Sequence, residues 1–344
     1  MRSILLPIVL VLLPVLVPAF GSGASGQQRN PTSPSAPGQS QSQTKPSVQP
    51  LQSQAQQPQS QDDTIRLSSR LVQVPVSVTD AFGNPVKDLK AQDIVIEEEG
   101  RPQQVVSLGE PGKTPIDIAL LFDVSGSTQR QFDFERQAAV QFVKEDLKPG
   151  DAMSLFSIGI TPKMVQARTT SSAEAVAGLM TIMPSGEPTA FFDAVVKAVD
   201  YLGKTADSGS RRVVLVISDG EENYSTKSTL RDGLRELQEN DCLFYSINPS
   251  GQGIKLNKIS LQGQEVMEAM ASQTGGKAFS INRPEDLESV FKEIAAELQA
   301  QYLFGYYVND NSAGGGFKKI TVRAPGRPDL RIRARQGYYP AAKP

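Results

Sequence analysis

The chain of 344 residues has no histidine, no tryptophan and a single cysteine. Without histidine there is no Ser-His-Asp triad, no imidazole acid or base and no histidine-ligated zinc. Cys242, standing alone, cannot close an internal disulfide, so stability must come from packing. Its neighbours Leu243, Phe244 and Tyr245 read as a buried strand, which makes it a structural thiol rather than a reactive one. A dominant charge is also missing: 35 Lys and Arg stand against 37 Asp and Glu, a net −2, which argues against a nucleic-acid binder. A helix that spans a membrane needs about 20 apolar residues. The apolar run 4–17 is shorter than that and is interrupted by Pro7 and Pro14.

That run follows Met1 and Arg2 and leads into small residues at 21–25, the layout of a secretory leader. We therefore expect a signal peptide at 1–24, cleaved near Ala24, with an uncleaved anchor as the alternative, and an extracytoplasmic (periplasmic or secreted) protein. Residues 25–64 are Gln, Ser and Pro with almost no large apolar side chain. Such a segment cannot bury enough surface to offset its ordering entropy and reads as a disordered linker, either a tether or a spacer without a role of its own.

The folded part divides by pattern. Val72, Val74, Val76 and Val78 alternate strictly, which predicts a half-buried strand over 71–79, and a hairpin is expected from 93–98 and 102–108. After Pro115 short apolar runs alternate with helical segments, the signature of an α/β fold with a doubly wound, mostly parallel sheet. Strands are expected at 116–122, 152–158, 212–218, 242–247 and 277–281. The helices expected between them include one over 172–183 capped by Ser171 or Ser172, one lined by Phe192, Val195, Val196, Val199 and Leu202, and one over 266–274. A last helix carries Leu287, Phe291, Ile294 and Leu298. Strands at 302–308, 317–323 and 330–334 then complete a small β-sandwich with the strands before the α/β part. The resulting division is 65–112 as a β segment, 113–301 as the α/β domain and 302–344 as a second β segment packing with the first. Arg331, Arg333 and Arg335 fall on one face of the final strand, as a solvated edge or a surface for an anionic wall or membrane.

Two of the apolar strands end in acids. The strand 116–122 runs into Asp123-Val124-Ser125-Gly126-Ser127-Thr128, and the strand 212–218 into Asp219-Gly220-Glu221-Glu222. Carboxyl ends of strands are where open α/β sheets bind ligands, and alternate spacing turns Asp123, Ser125 and Ser127 the same way. Pro188-Thr189-Ala190 lies between them, at the start of the helix carrying Asp193.

Asp123-x-Ser125-x-Ser127, then Thr189, then Asp219 in Ile217-Ser218-Asp219-Gly220 resembles the von Willebrand factor type A domain with its metal-ion-dependent adhesion site, in order and over about 115–301. The export leader, the linker and the terminal Arg335-Gln336-Gly337-Tyr338-Tyr339 resemble the bacterial secreted group of this family. The resemblance implies that Ser125, Ser127 and Thr189 coordinate the metal directly, with Asp123 and Asp219 acting through bound waters. Mg²⁺, or Mn²⁺ or Ca²⁺ in its place, prefers oxygen donors and retains waters. Neutral hydroxyls leave its charge uncompensated, and in the family an Asp or Glu of a protein partner takes the open position. No small-molecule substrate is expected. Glu187 and Glu221 are the carboxylates placed to meet the partner. Where the family commonly has Gly-Gly-Thr, this chain has Gly186-Glu187-Pro188-Thr189, so Glu187 points to solvent or else supplements or masks the metal. The implied function is a non-enzymatic adhesion or interaction module. The alternatives are a Mg²⁺-dependent phosphoryl-transfer hydrolase, which would usually want a second Asp where Ser125 stands, or a structural component of an envelope complex.

Overall fold

A computed structural model describes residues 69–126, 131–250, 258–309 and 315–340. The expected leader and linker, and Ser127, lie outside the described residues. The elements in chain order are β1 (Ser69–Thr79), β2 (Val95–Glu98), β3 (Arg101–Gln103), β4 (Val105–Gly109), β5 (Ile116–Asp123), α1 (Phe132–Glu145), β6 (Ala152–Ile158), β7 (Lys163–Thr169), α2 (Ser172–Thr181) and α3 (Phe191–Thr205). There follow β8 (Arg211–Ile217), α4 (Leu230–Glu239), β9 (Cys242–Asn248), α5 (Lys258–Thr274), β10 (Ala278–Ser280), α6 (Leu287–Ala300), β11 (Tyr302–Asn309), β12 (Lys318–Arg323), β13 (Arg331–Ala334) and β14 (Gly337–Tyr338).

The α/β part is a six-stranded sheet in the order β10-β9-β8-β5-β6-β7. All its pairings are parallel except that of β6 with β7. Every residue of β5 is buried, as expected of a central strand covered by helices on both faces. Alternation along the strands sorts the core into two layers. Ile118, Leu120 and Phe122 of β5, with Val213, Leu215 and Ile217 of β8, pack against α1, α2 and α6. Leu121, Val214 and Val216 face the other way, onto α3, α4 and α5. Each Leu, Ile or Phe so buried contributes roughly 1.5–3 kcal/mol. The chain winds from β5 toward β6 and β7, then returns across to β8, so the reversal of strand order falls beside the carboxyl end of β5.

The strands flanking this domain pair with each other. β1 runs antiparallel to β11, from Ser69 opposite Asn309 to Val76 opposite Tyr302, in a sheet of order β13-β1-β11-β4; the second sheet is β14-β12-β2-β3. Val72, Val74, Val76, Val78, Ile96, Phe304 and Ile320 form their shared core. The expected strand over 102–108 is divided between the two sheets. β2 turns into β3 through Glu99 and Gly100, both at positive φ (51° and 74°), a two-residue turn matched to strand twist, whereas β4 leaves to pair with β11.

Other differences from the sequence reading are local. β7 was not anticipated, α2 stops at Thr181, and α5 begins at Lys258 rather than at Val266. The arginines of the last strand correct the picture of a solvated edge. Arg333 reaches Glu297 of α6 and donates to the Gly275 carbonyl at 3.2 Å. Arg335 is buried and paired with Asp241. Only Arg331 keeps the exposure expected of all three. No helix among the described residues is long and apolar enough to cross a membrane.

Candidate functional site

The two acids of the sequence motif meet because β5 and β8 are parallel neighbours in register, Phe122 opposite Ile217. Asp123 then stands opposite Ser218, whose hydroxyl donates to Asp123 Oδ2 at 2.5 Å, and Asp123 Oδ1 accepts from the Ser125 backbone N–H at 2.9 Å. Asp219 follows one residue on, and its Oδ1 accepts from the Glu221 N–H at 3.1 Å. The backbone after β8 is fixed by a close approach. Gly220 has φ +74°, and a Cβ there would come within 2.7 Å of the Gly263 carbonyl oxygen. A side chain at Gly263 would in turn strike the Asp219 carbonyl at 2.9 Å, so only glycine at both positions lets α5 seat this loop.

The third segment is tied to the first two by backbone bonds. Ser185 and Gly186 both donate to the Val124 carbonyl, at 2.8 and 3.1 Å. Thr189 donates to Asn223 Oδ1 at 2.8 Å while the Asn223 and Tyr224 N–H groups return to the Thr189 carbonyl at 3.2 and 3.1 Å. α3 begins at Ala190 without a capping side chain of its own. Glu222 supplies the cap, Oε2 accepting from the Phe192 N–H at 3.1 Å and Oε1 from the Tyr224 and Ser225 N–H groups at 2.8 and 2.7 Å.

Of the five expected ligands, four are therefore gathered at one rim. Asp123, Ser125, Thr189 and Asp219 are between 0 and 4 % exposed. Ser125 and Thr189 line a single open cavity of about 350 Å³ together with Gly126, Glu187, Glu221 and Asn223. Glu187 is exposed at the cavity edge and leans back over the loop after β6, where a Cβ on Gly159 would lie 3.1 Å from its Oε2. Glu221 is not free toward the rim, since its Oε1 accepts from the Ser260 hydroxyl at 2.6 Å.

Burial raises the Asp123 carboxyl to about 6, with hydrogen bonds from Ser218 and Ser125 opposing and the nearby Asp219 charge adding to the rise. A third acid is present that the sequence reading passed over. Glu135 of α1 is 0 % exposed, neither of its carboxylate oxygens has a hydrogen-bond partner among the described residues, and burial together with the charges of Asp123 and Asp219 pushes it up to about 8. Its signal was an acid on the apolar stripe of a helix, three residues after Phe132 and four before Ala139. Ser218, Asn223 and Glu222, which position the motif residues, carried no signal beyond adjacency to Asp219.

Excess buried negative charge next to hydroxyl donors suits a hard divalent cation. Among the described residues no group of three acids or thiols could hold an ion by itself.

The mostly parallel sheet covered by helices on both faces agrees with the family comparison. The model of the von Willebrand factor type A domain matches residues 117–293, and the chain belongs to that family. Solved structures similar to it include an aerotolerance-related membrane protein from Bacteroides fragilis, at 15 % identity, covering 53 % of this chain and 98 % of that one with a TM-score of 0.43. The von Willebrand factor domain of the type V pili tip protein from Porphyromonas gingivalis is 13 % identical, covering 53 % and 94 % with a TM-score of 0.43. Proximal thread matrix protein 1 from the mussel byssus, with a zinc-occupied MIDAS motif, is 14 % identical, covering 59 % of this chain and 50 % of its own with a TM-score of 0.46. No curated protein matches the chain.

Proposed function

We propose that the chain is an exported, non-enzymatic interaction module that holds one divalent cation at Asp123, Ser125, Ser127, Thr189 and Asp219, Mg²⁺ or else Mn²⁺ or Ca²⁺, and through it takes an Asp or Glu carboxylate of a protein partner. The carrying observation is the convergence of buried acids and hydroxyls from three separate loops on one open rim. Bound there, the ion supplies an outward-facing positive charge where the protein alone presents carboxylates. Ser218 and the Ser125 N–H orient Asp123, Asn223 holds Thr189, and Ser125 and Thr189 contribute neutral oxygens, which leave cationic charge for a partner. Glu187 at the rim would repel a badly placed acid and so select the approach of the partner, while Glu221, tied to Ser260, shapes the opposite wall. The apolar segment at 4–17 and the polar stretch after it support export and tethering, with 65–112 and 302–344 forming the mount for the domain at 113–301.

The test is calorimetric titration of the full chain with Mg²⁺ and Mn²⁺, beside Asp123→Ala and Thr189→Ala. Wild-type protein should bind one ion, and both variants should keep their circular dichroism and lose the binding. A wild type that binds neither ion, or a Thr189→Ala variant that binds as the wild type does, would sink the reading.

A further inference from the structure

The helix after the first motif loop presents an unusual face. Phe132, Ala138, Ala139, Phe142 and Val143 of α1 are buried in the core, and Glu135 falls on the same stripe, where helical spacing calls for an apolar side chain. Burying a carboxylate without a donor costs several kcal/mol, and a leucine here would avoid that. Gln131, four residues earlier and so on the same face, also has a buried side-chain oxygen with no partner among the described residues. Three acceptor oxygens at the start of α1 thus lack donors among the described residues; Phe132 there packs edge-on against Phe122, the residue before Asp123, with ring centroids 5.2 Å apart, and the charges of Asp123 and Asp219 act on Glu135. The adjacent cation is engaged elsewhere: Arg136 bonds Asp133 at 2.8 Å and the Ile182 carbonyl at 3.3 Å. What these acceptors need is a source of protons with positive charge behind it, and the waters of a divalent ion are such a source.

We infer that Glu135 is a further acidic residue of the ion site, accepting hydrogen bonds from water on the cation rather than touching it. The indirect role fits its place on the buried face of α1, 0 % exposed and outside the lining of the cavity that Ser125 and Thr189 share. Ionised against a bound cation, it would bring the local carboxylate count, with Asp123 and Asp219, to three against a charge of two. Without the ion, burial beside those acids favours its protonated form, which costs stability relative to a side chain that never ionises. This inference rests on the ion-site reading above.

Glu135→Gln keeps size and shape while removing the charge, and Glu135→Leu replaces it with a residue suited to the apolar stripe. Groups that act on a metal through its ligands or waters typically change its affinity by about 10–100-fold, so both variants should bind Mn²⁺ at least about tenfold more weakly. In chelator both should melt at a higher temperature than the wild type, and the rise in melting temperature on adding Mn²⁺ should shrink. A purely structural glutamate would show neither the smaller rise in melting temperature with Mn²⁺ nor the affinity loss. If Thr189→Ala loses Mn²⁺ while both Glu135 variants bind it like the wild type, the inference about Glu135 fails and the ion site stands. If the wild type itself binds neither Mg²⁺ nor Mn²⁺, both readings are overturned.

Discussion

Arg211 offers the sharpest test of how the α/β domain is fixed to its mount. The chain leaves the β-sandwich just before Thr114 and re-enters it just after Gln301, and Arg211, at the start of β8 and 4 % exposed, bonds both crossings. It donates to the Leu298 carbonyl at 2.5 Å, to Gln301 Oε1 at 3.2 Å and to the Thr114 carbonyl at 3.1 Å. No carboxylate pairs with it among the described residues, and burial pulls its pKa below the usual arginine value. Arg211→Met keeps the length of the stem and removes all three donors. A buried acceptor left unsatisfied costs about 1–3 kcal/mol. Removing a desolvated cation returns part of that, so a net loss of about 2–4 kcal/mol is expected. Urea unfolding followed by circular dichroism should show this as a lower midpoint at an unchanged slope. Arg211→Lys should recover only part of it, because an ammonium lacks the planar fork that reaches three acceptors. A loss below about 0.5 kcal/mol for the methionine variant, the size of an ordinary surface change, would refute the idea that Arg211 holds the crossings.

Two further outcomes are expected. Glu222→Ala removes the cap of α3 and should lower stability by about 1–2 kcal/mol; because Asn223 and Thr189 sit on the same loop, titration should also show weaker ion binding, and an unchanged midpoint would count against the capping role. In chelator the melting temperature should fall as pH rises from about 5 to 8. Asp123 and Glu135 have folded-state pKa values raised to about 6 and about 8, so the stability they contribute is complete below their unfolded values near 4 and is lost as each ionises in the fold. Saturating Mg²⁺ should flatten that slope, and a melting temperature independent of pH in chelator would contradict the burial of these two acids.

Which elements could be read in advance follows from how strongly burial marks them. β5 and β8 are buried along their length, so their apolar runs were unmistakable, and the stripe of α3 showed as a clear helical period. β7 escaped because it is a half-exposed edge strand whose residues, Lys163 to Thr169, show neither alternation nor an apolar run. Spacing placed Arg331 and Arg333 opposite Ile332 and Ala334, which pack onto the sandwich core. Whether that side met solvent or the Glu297 carboxylate of α6 depended on packing between segments more than thirty residues apart.

At the site, the sequence by itself determined the donor types and their order: an acid and hydroxyls ending one buried strand, a threonine opening a helix, an acid ending another strand. These are local facts of chain chemistry, set by where apolar runs stop. Tertiary structure alone decided that Ser218 orients Asp123, that Glu222 caps α3, that Ser260 takes up Glu221, and that Glu135 is buried with no partner among the described residues. Each depends on strand register or on a helix crossing over a sheet, and the solvation of a side chain is a property of everything packed around it, which no stretch of sequence specifies.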